Sequence, residues 1–136
     1  VLPSLRHASA STSTGECVVQ VGQQFGKSQI WNDFEAVTLD MEKALVQNDL
    51  KEIQRCIREN SRLLSSIGVV PEKVRQFIAE IEQTGAAAKV CGAGAVAGDQ
   101  GGVVLVVAEK PPVDVCKKYG YELMTVRGEP LGARIV

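Results

Sequence analysis

Residues 86–107 read Ala-Ala-Ala-Lys-Val-Cys-Gly-Ala-Gly-Ala-Val-Ala-Gly-Asp-Gln-Gly-Gly-Val-Val-Leu-Val-Val, and no other stretch limits the fold so tightly. Small residues suit a closely packed strand, a glycine-rich turn follows, and a β-branched run makes a second strand. Gly92, Gly94, Gly98, Gly101 and Gly102 all fall in the turn. Glycine at this density carries a cost in backbone entropy, so it needs a cause. One cause is a sharp reversal of the chain. The other is close approach of main-chain N–H groups to an anion such as phosphate, because no Cβ stands in the way. Composition alone does not choose between them.

The 136 residues suffice for one domain with a core and are too few for two. A net charge of −1 gives no electrostatic footprint for nucleic acid or a membrane surface. No apolar run approaches the roughly 20 residues that span a bilayer. Cys17, Cys56, Cys91 and Cys116 show no Cys-x-x-Cys spacing, and His7 is the one histidine, so no ordinary zinc motif forms and no metal ligand set is expected. Buried free thiols in a reducing cytoplasm are the expectation. The chain opens on Val1 without the charged and apolar regions of a signal peptide. The hydroxyl-rich run at residues 9–14 has too few basic neighbours, Arg6 and His7, for a transit peptide. A domain belonging to a longer polypeptide is expected.

In chain order, residues 1–5 with Pro3 suit an extended edge or connecting segment. Ser13 and Glu16 have capping-box spacing and announce a helix. Thr14 stands beside them; hydroxyls at a helix N-terminus can cap it or hold a ligand oxygen. Residues 22–28, Gly-Gln-Gln-Phe-Gly-Lys-Ser, imitate a phosphate-binding P-loop but have three residues between the glycines where four are required. A helix break, with Ser28 capping the next helix, is the simpler reading. Three amphipathic helices follow. Their apolar faces are Phe34, Val37, Met41, Ala44 and Leu45; then Ile53, Cys56, Ile57, Leu64 and Ile67; then Val74, Phe77, Ile78 and Ile81. Asp49 with Glu52, Gly68, Pro71 and Gly85 mark their ends. Charged residues between the stripes, such as Glu52, Arg55, Lys73 and Arg75, read as a solvated face.

Beyond Gly85 the hydrophobic period changes. Val103–Val107 predicts a buried strand ended by Pro111 and Pro112. Residues 112–119 predict a short helix stopped by Gly120. Residues 121–127 and 132–136 predict strands around a turn at residues 128–130. The fold class is α+β, a mainly antiparallel sheet with a layer of helices.

Ala88-Lys89-Val90-Cys91-Gly92-Ala93-Gly94, followed by Gly101-Gly102-Val103, resembles the third motif of the GHMP kinases, Gly-Ala-Lys-hydrophobic-Thr/Ser-Gly-Ala-Gly before a hydrophobic strand. Asn60-Ser61-Arg62-Leu63-Leu64 with Ile67-Gly68-Val69 is similar to the family's Asn-x-x-Leu-Leu-x-x-Leu-Gly-Val segment. Ser13-Thr14-Gly15-Glu16 is similar to its Ser-Thr helix start. The order matches along nearly the whole chain, and the mevalonate-phosphorylating branch of the family is the most similar. Cys91 departs from the usual hydroxyl residue, and residues 95–100 lengthen the loop.

The resemblance implies a ferredoxin-like sheet over residues 1–136, the C-terminal domain of an ATP-dependent, Mg²⁺-using kinase of small alcohols. It implies that Gly92, Ala93, Gly94 and Ala95 border the phosphates, with Ser13 and Thr14 on the substrate side. Lys89 either adds charge there or is structural. No catalytic residue and no metal ligand is implied within these residues. The base, the Mg²⁺ ligands and the phosphate-wrapping motif belong to the family's N-terminal kinase domain, which is the implied partner; mevalonate is the implied substrate, and a homodimer is admitted. Another GHMP kinase acting on phosphomevalonate, homoserine or a galactose-type sugar is the first alternative. A non-catalytic ferredoxin-like binding module is the second.

Overall fold

Ser13 begins the first helix, α1 (Thr14–Phe25), with both halves of the predicted capping box. Its main-chain N–H donates to Glu16 Oε2 at 2.7 Å, and Glu16 N–H donates to Ser13 Oγ at 3.3 Å. Two of the N–H groups that a helix start leaves unpaired are thereby served. The computed structural model describes residues 2–4 (as backbone), 13–92, 94–98, 102–128, 130, 133 and 135.

Residues 22–28 end α1 and do not wrap an anion. Gly26 donates to Gly22 O at 3.0 Å, and a Cβ on Gly26 would stand 2.5 Å from that oxygen. Phe25 O then accepts from Ser28 N–H and from Trp31 Nε1. Ser28 Oγ accepts from Ile30 N–H at 3.2 Å, which starts α2 (Ile30–Val46). Asn48, at φ +52°, turns the chain, and Asp49 caps α3 (Leu50–Ser66) through Glu52 N–H. Gly68 ends α3 at φ +79°. Pro71 precedes α4 (Glu72–Gln83), one position outside the expected first turn.

Four short strands form one antiparallel sheet in the order β2-β3-β1-β4: β1 (Leu2–Ser4), β2 (Ala87–Cys91), β3 (Val103–Val107) and β4 (Glu122–Met124). The β2–β3 ladder runs from Ala87 opposite Val107 to Cys91 opposite Val103, with the glycine-rich segment as its connection. Pro112 leads into α5 (Val113–Tyr119), and Gly120 at φ +70° stops it.

β1 is an interior strand, which corrects the expectation of an edge. Both β3 and β4 run antiparallel to it, so they are parallel to each other and joined over α5. This is a split β-α-β unit, and the slot it leaves is filled by β1. Local sequence could not foresee that slot. The predicted strand at residues 121–127 shrinks to β4. The predicted turn at 128–130 and final strand at 132–136 fall largely outside the described residues; Ala133 and Ile135 are in no strand.

Val74, Phe77, Ile78 and Ile81 of α4 are buried against Ala88 and Val90 of β2 and Val104 and Val106 of β3. Phe77 meets Tyr119 and Tyr121 edge-on, with ring centroids 5.3 and 4.8 Å away. A second cluster, Val37, Cys56 and Leu63, joins α2 to α3. On the outside, Arg55 holds Glu52 and Asp40, each at 2.9 Å, a half-exposed strap on the expected solvated face. Gln54 Nε2 donates to Val107 O, and Arg58 Nη2 to Gly85 O and Ala86 O. These bonds tether α3 to the far end of the β2–β3 ladder. Cys17, Cys56 and Cys116 are buried, Cys91 is partly so, and all four are free.

Candidate functional site

β2 delivers the chain at Cys91 into a loop whose glycines take positive φ: Gly92 at +84°, Gly94 at +69°, Gly98 at +86° and Gly102 at +85°. L-residues with a Cβ rarely adopt these angles. The turn reading of the glycines therefore holds for all four. Gly94 has a further cause. A Cβ there would lie 2.1 Å from Val69 O, in the connection between α3 and α4. The next residue, Ala95, is 1% exposed and donates its N–H to the same oxygen at 2.7 Å. The sequence signalled a close approach at Gly94. The approach seen is to the chain's own carbonyl.

Cys17 ties this loop to α1. Its buried Sγ lies 3.8 Å from Gly94 O, a weak thiol donor contact. Cys17 sits three residues after Thr14, on the same side of the helix one turn along. The fold thus brings the start of α1, with Ser13 and Thr14, to the neighbourhood of the glycine loop, although 77 residues separate Cys17 from Gly94. Neither Cys17 nor Val69 was an expected site residue; a main-chain carbonyl leaves no trace in side-chain identity.

The expected site residues divide into three groups. Ser13 Oγ is committed to the cap, and its contacts hold the Glu16 carboxyl below its ordinary value, the Ser13 N–H contributing more than the hydroxyl. Thr14 is exposed, and its hydroxyl has no hydrogen-bond partner among the described residues. Gly92 is exposed, and a Cβ there would meet nothing within 4 Å. Gly94 and Ala95 form the foot of the loop on Val69. Ala93 lies outside the described residues, as do Asp99, Gln100 and Gly101 of the lengthened loop.

Lys89 lies apart from this foot, in a cleft of about 190 Å³ shared with α2 and α3. An apolar groove of about 380 Å³ flanks the site, formed by Cys17, Val18 and Val21 of α1 with Trp31, Leu64 and Val69. Val18 and Val19 are 64% and 59% exposed. A larger cleft, about 570 Å³, lies at the opposite end of the β2–β3 ladder, between Thr84 and Val115, and no expected site residue lines it. Among the described residues, no cluster of three or more His, Cys, Asp or Glu could hold a metal ion, and no helix is long and apolar enough to cross a membrane.

Residues 41–98 match the family model described as GHMP kinases C terminal. That match runs from α2 through residues 92–95 and excludes Ser13 and Thr14. Among solved structures, the chain is similar to L. major mevalonate kinase in complex with R-mevalonate, with a TM-score of 0.69 and 21% identity over 87% of this chain and 36% of that one. It is also similar to the Lin0012 protein of Listeria innocua, with a TM-score of 0.70 and 19% identity over 89% of this chain and 36% of that one. At these identities the likeness is one of fold. The chain spans 36% of the length of each. No curated protein matches it by sequence.

Proposed function

We propose that this chain is a GHMP kinase C-terminal domain, the family whose model matches residues 41–98, and that it forms one wall of the cleft of an ATP-dependent kinase, with mevalonate as the acceptor alcohol. One observation carries the reading: Cys17 and Gly94 join the hydroxyl-bearing start of α1 to the glycine loop. A wall that transfers phosphate to an alcohol needs a phosphate-facing backbone and a hydroxyl-recognising group near each other.

When bound, ATP with Mg²⁺ supplies the γ-phosphoryl group. The alcohol oxygen forms the new P–O bond, the bond from the γ-phosphorus to the bridging oxygen breaks, and the hydroxyl proton passes to a base; the product is 5-phosphomevalonate beside ADP. Gly92 is the open glycine at which a phosphate can approach the backbone. Ala95 has no N–H left for phosphate, because Val69 O takes it, so Gly94 and Ala95 set the height of the loop. Thr14 offers a free hydroxyl to the substrate at the positive end of α1. In this reading the Mg²⁺ ligands and the base belong to the family's N-terminal kinase domain, as the resemblance implies. The exposed Val18 and Val19 beside the apolar groove suit a face covered by that N-terminal kinase domain, in a reducing cytoplasm that keeps the four thiols free.

The test is ATP-dependent phosphorylation by the intact polypeptide that contains this chain. Mevalonate, phosphomevalonate, homoserine and galactose are offered in parallel. Turnover with mevalonate well above the rest supports the reading. Preference for another alcohol keeps the family and removes the substrate. No phosphorylation of any of them points to a binding module.

A further inference from the structure

The end of α3 is closed by two main-chain bonds: Gly68 N–H donates to Ser65 O at 3.1 Å, and Val69 N–H donates to Leu64 O at 3.4 Å. With Gly68 at φ +79°, this is a left-handed helix cap. A Cβ on Gly68 would meet nothing within 4 Å, so the backbone angle alone calls for glycine there. The cap takes the Val69 N–H and leaves the Val69 carbonyl for another partner. That carbonyl is the one on which the foot of the glycine loop rests. Ala95 N–H reaches it at 2.7 Å, and a Cβ on Gly94 would stand 2.1 Å from it. Val69 and Val70 are buried in the main core, so the connection has little room to shift. α5 ends on the same pair of bonds, from Gly120 N–H to Lys117 O at 3.1 Å and from Tyr121 N–H to Cys116 O at 2.9 Å. Gly120 is at φ +70°, and a Cβ there would also meet nothing within 4 Å. The residue that follows it, Tyr121, packs on Phe77 instead of the glycine loop.

We propose that Gly68 is a positioning residue for the glycine loop: its left-handed cap places the Val69 carbonyl, and that carbonyl fixes the height at which the loop presents Gly92 to a phosphate. The chain of cause is short and entirely main-chain. Gly68 is joined to Val69 by a peptide bond, and Val69 O to Ala95 by a hydrogen bond. A side chain at position 68 disfavours the left-handed angle. Relief of that strain rotates the peptide that follows, loosens the bond from Val69 N–H to Leu64 O, and carries Val69 O away from Ala95 N–H. The two caps at Gly68 and Gly120 thus share one local chemistry and differ in what the next residue touches. The hold of Gly68 on Ala95 stands apart from the kinase reading; its effect on nucleotide use rests on that reading.

Gly68→Ala, Gly68→Asn and Gly120→Ala in the intact polypeptide test it. Alanine imposes the same backbone penalty at either cap and should lower the folding equilibrium constant about tenfold in both cases. Asparagine visits the left-handed region more readily and should recover most of that loss. Amide hydrogen exchange under native conditions is the first measurement. Gly68→Ala should speed exchange at Ala95 severalfold more than at the amides of β3, and Gly68→Asn should reverse most of the excess. Gly120→Ala should not single out Ala95. Exchange at Ala95 that rises alike in Gly68→Ala and Gly120→Ala overturns the proposal. Steady-state kinetics is the second measurement. Gly68→Ala should raise the KM for ATP severalfold, Gly68→Asn should bring it back, and Gly120→Ala should leave it unchanged at a similar loss of stability. An equal rise with Gly120→Ala, or none with Gly68→Ala, overturns the role in nucleotide use. A polypeptide that neither binds nor consumes ATP refutes the kinase reading instead, and the exchange result then decides the link from Gly68 to Ala95.

Discussion

At Gly94 two constraints coincide, a φ of +69° and a main-chain carbonyl 2.1 Å from where a Cβ would be. Gly92 shares the first constraint and lacks the second. Gly94→Val should therefore cost about 3 kcal/mol or more and act as a folding lesion. Gly92→Ala should cost about 1–2 kcal/mol and act mainly on nucleotide affinity. Denaturant melts beside ATP titrations check both; equal destabilisation by the two substitutions would remove Val69 as the cause. The adjacent hydroxyls at the start of α1 divide in the same way. Ser13→Ala removes an observed cap and should lose about 0.5–2 kcal/mol. Thr14→Ala removes a hydroxyl with no partner among the described residues, so stability should change by less than about 0.5 kcal/mol. Under the proposed function it should still depress kcat/KM for mevalonate in the intact polypeptide. Unchanged kinetics would take Thr14 out of the site.

The element that carries most of the core is α4, and Phe77 is its centre, fully buried between the sheet and the two tyrosines. Phe77→Ala should cost about 3–5 kcal/mol in a denaturant melt. The same helix is clamped to α5 by Glu80, which accepts from Lys118 Nζ at 2.8 Å and from Tyr119 OH at 2.9 Å. Lys118 first, then Tyr119, holds the Glu80 carboxyl below its ordinary value of 4.5. A carboxylate lowered on folding binds its proton more readily in the unfolded chain. Its contribution is therefore complete above the ordinary value and is lost as pH falls through the lower, folded one. Glu80→Gln should flatten part of the acid limb of stability against pH while leaving the neutral region nearly level; parallel curves for the two proteins would show that the clamp does not contribute.

For the whole molecule, the chain has a continuous core, while the one-wall reading assigns the Mg²⁺ ligands and the base to another domain. The isolated 136-residue chain should therefore bind weakly and turn over mevalonate far below the usual kinase range of about 1–100 per second. Product formation within that range by the purified chain would overturn the one-wall reading.

The helices were legible in the sequence because their causes are local: Ser13 with Glu16, Asp49 with Glu52, and the glycines at 68, 85 and 120 act within one turn of where they stand. The β2–β3 ladder was legible for the same reason, a glycine turn between two apolar runs. The place of β1 was not, since Pro3 argued for an edge and only the parallel arrangement of β3 and β4 made an interior slot. The site was half legible. Glycine identity announced that something comes close at Gly94, but whether that is an anion or Val69 O depends on a main-chain atom 25 residues away, and main-chain atoms are the same for every residue type. Lys89 and Asn60 likewise stood in separate motifs until α3 was laid beside β2, because a shared cleft is a property of packing across the fold and of no single segment.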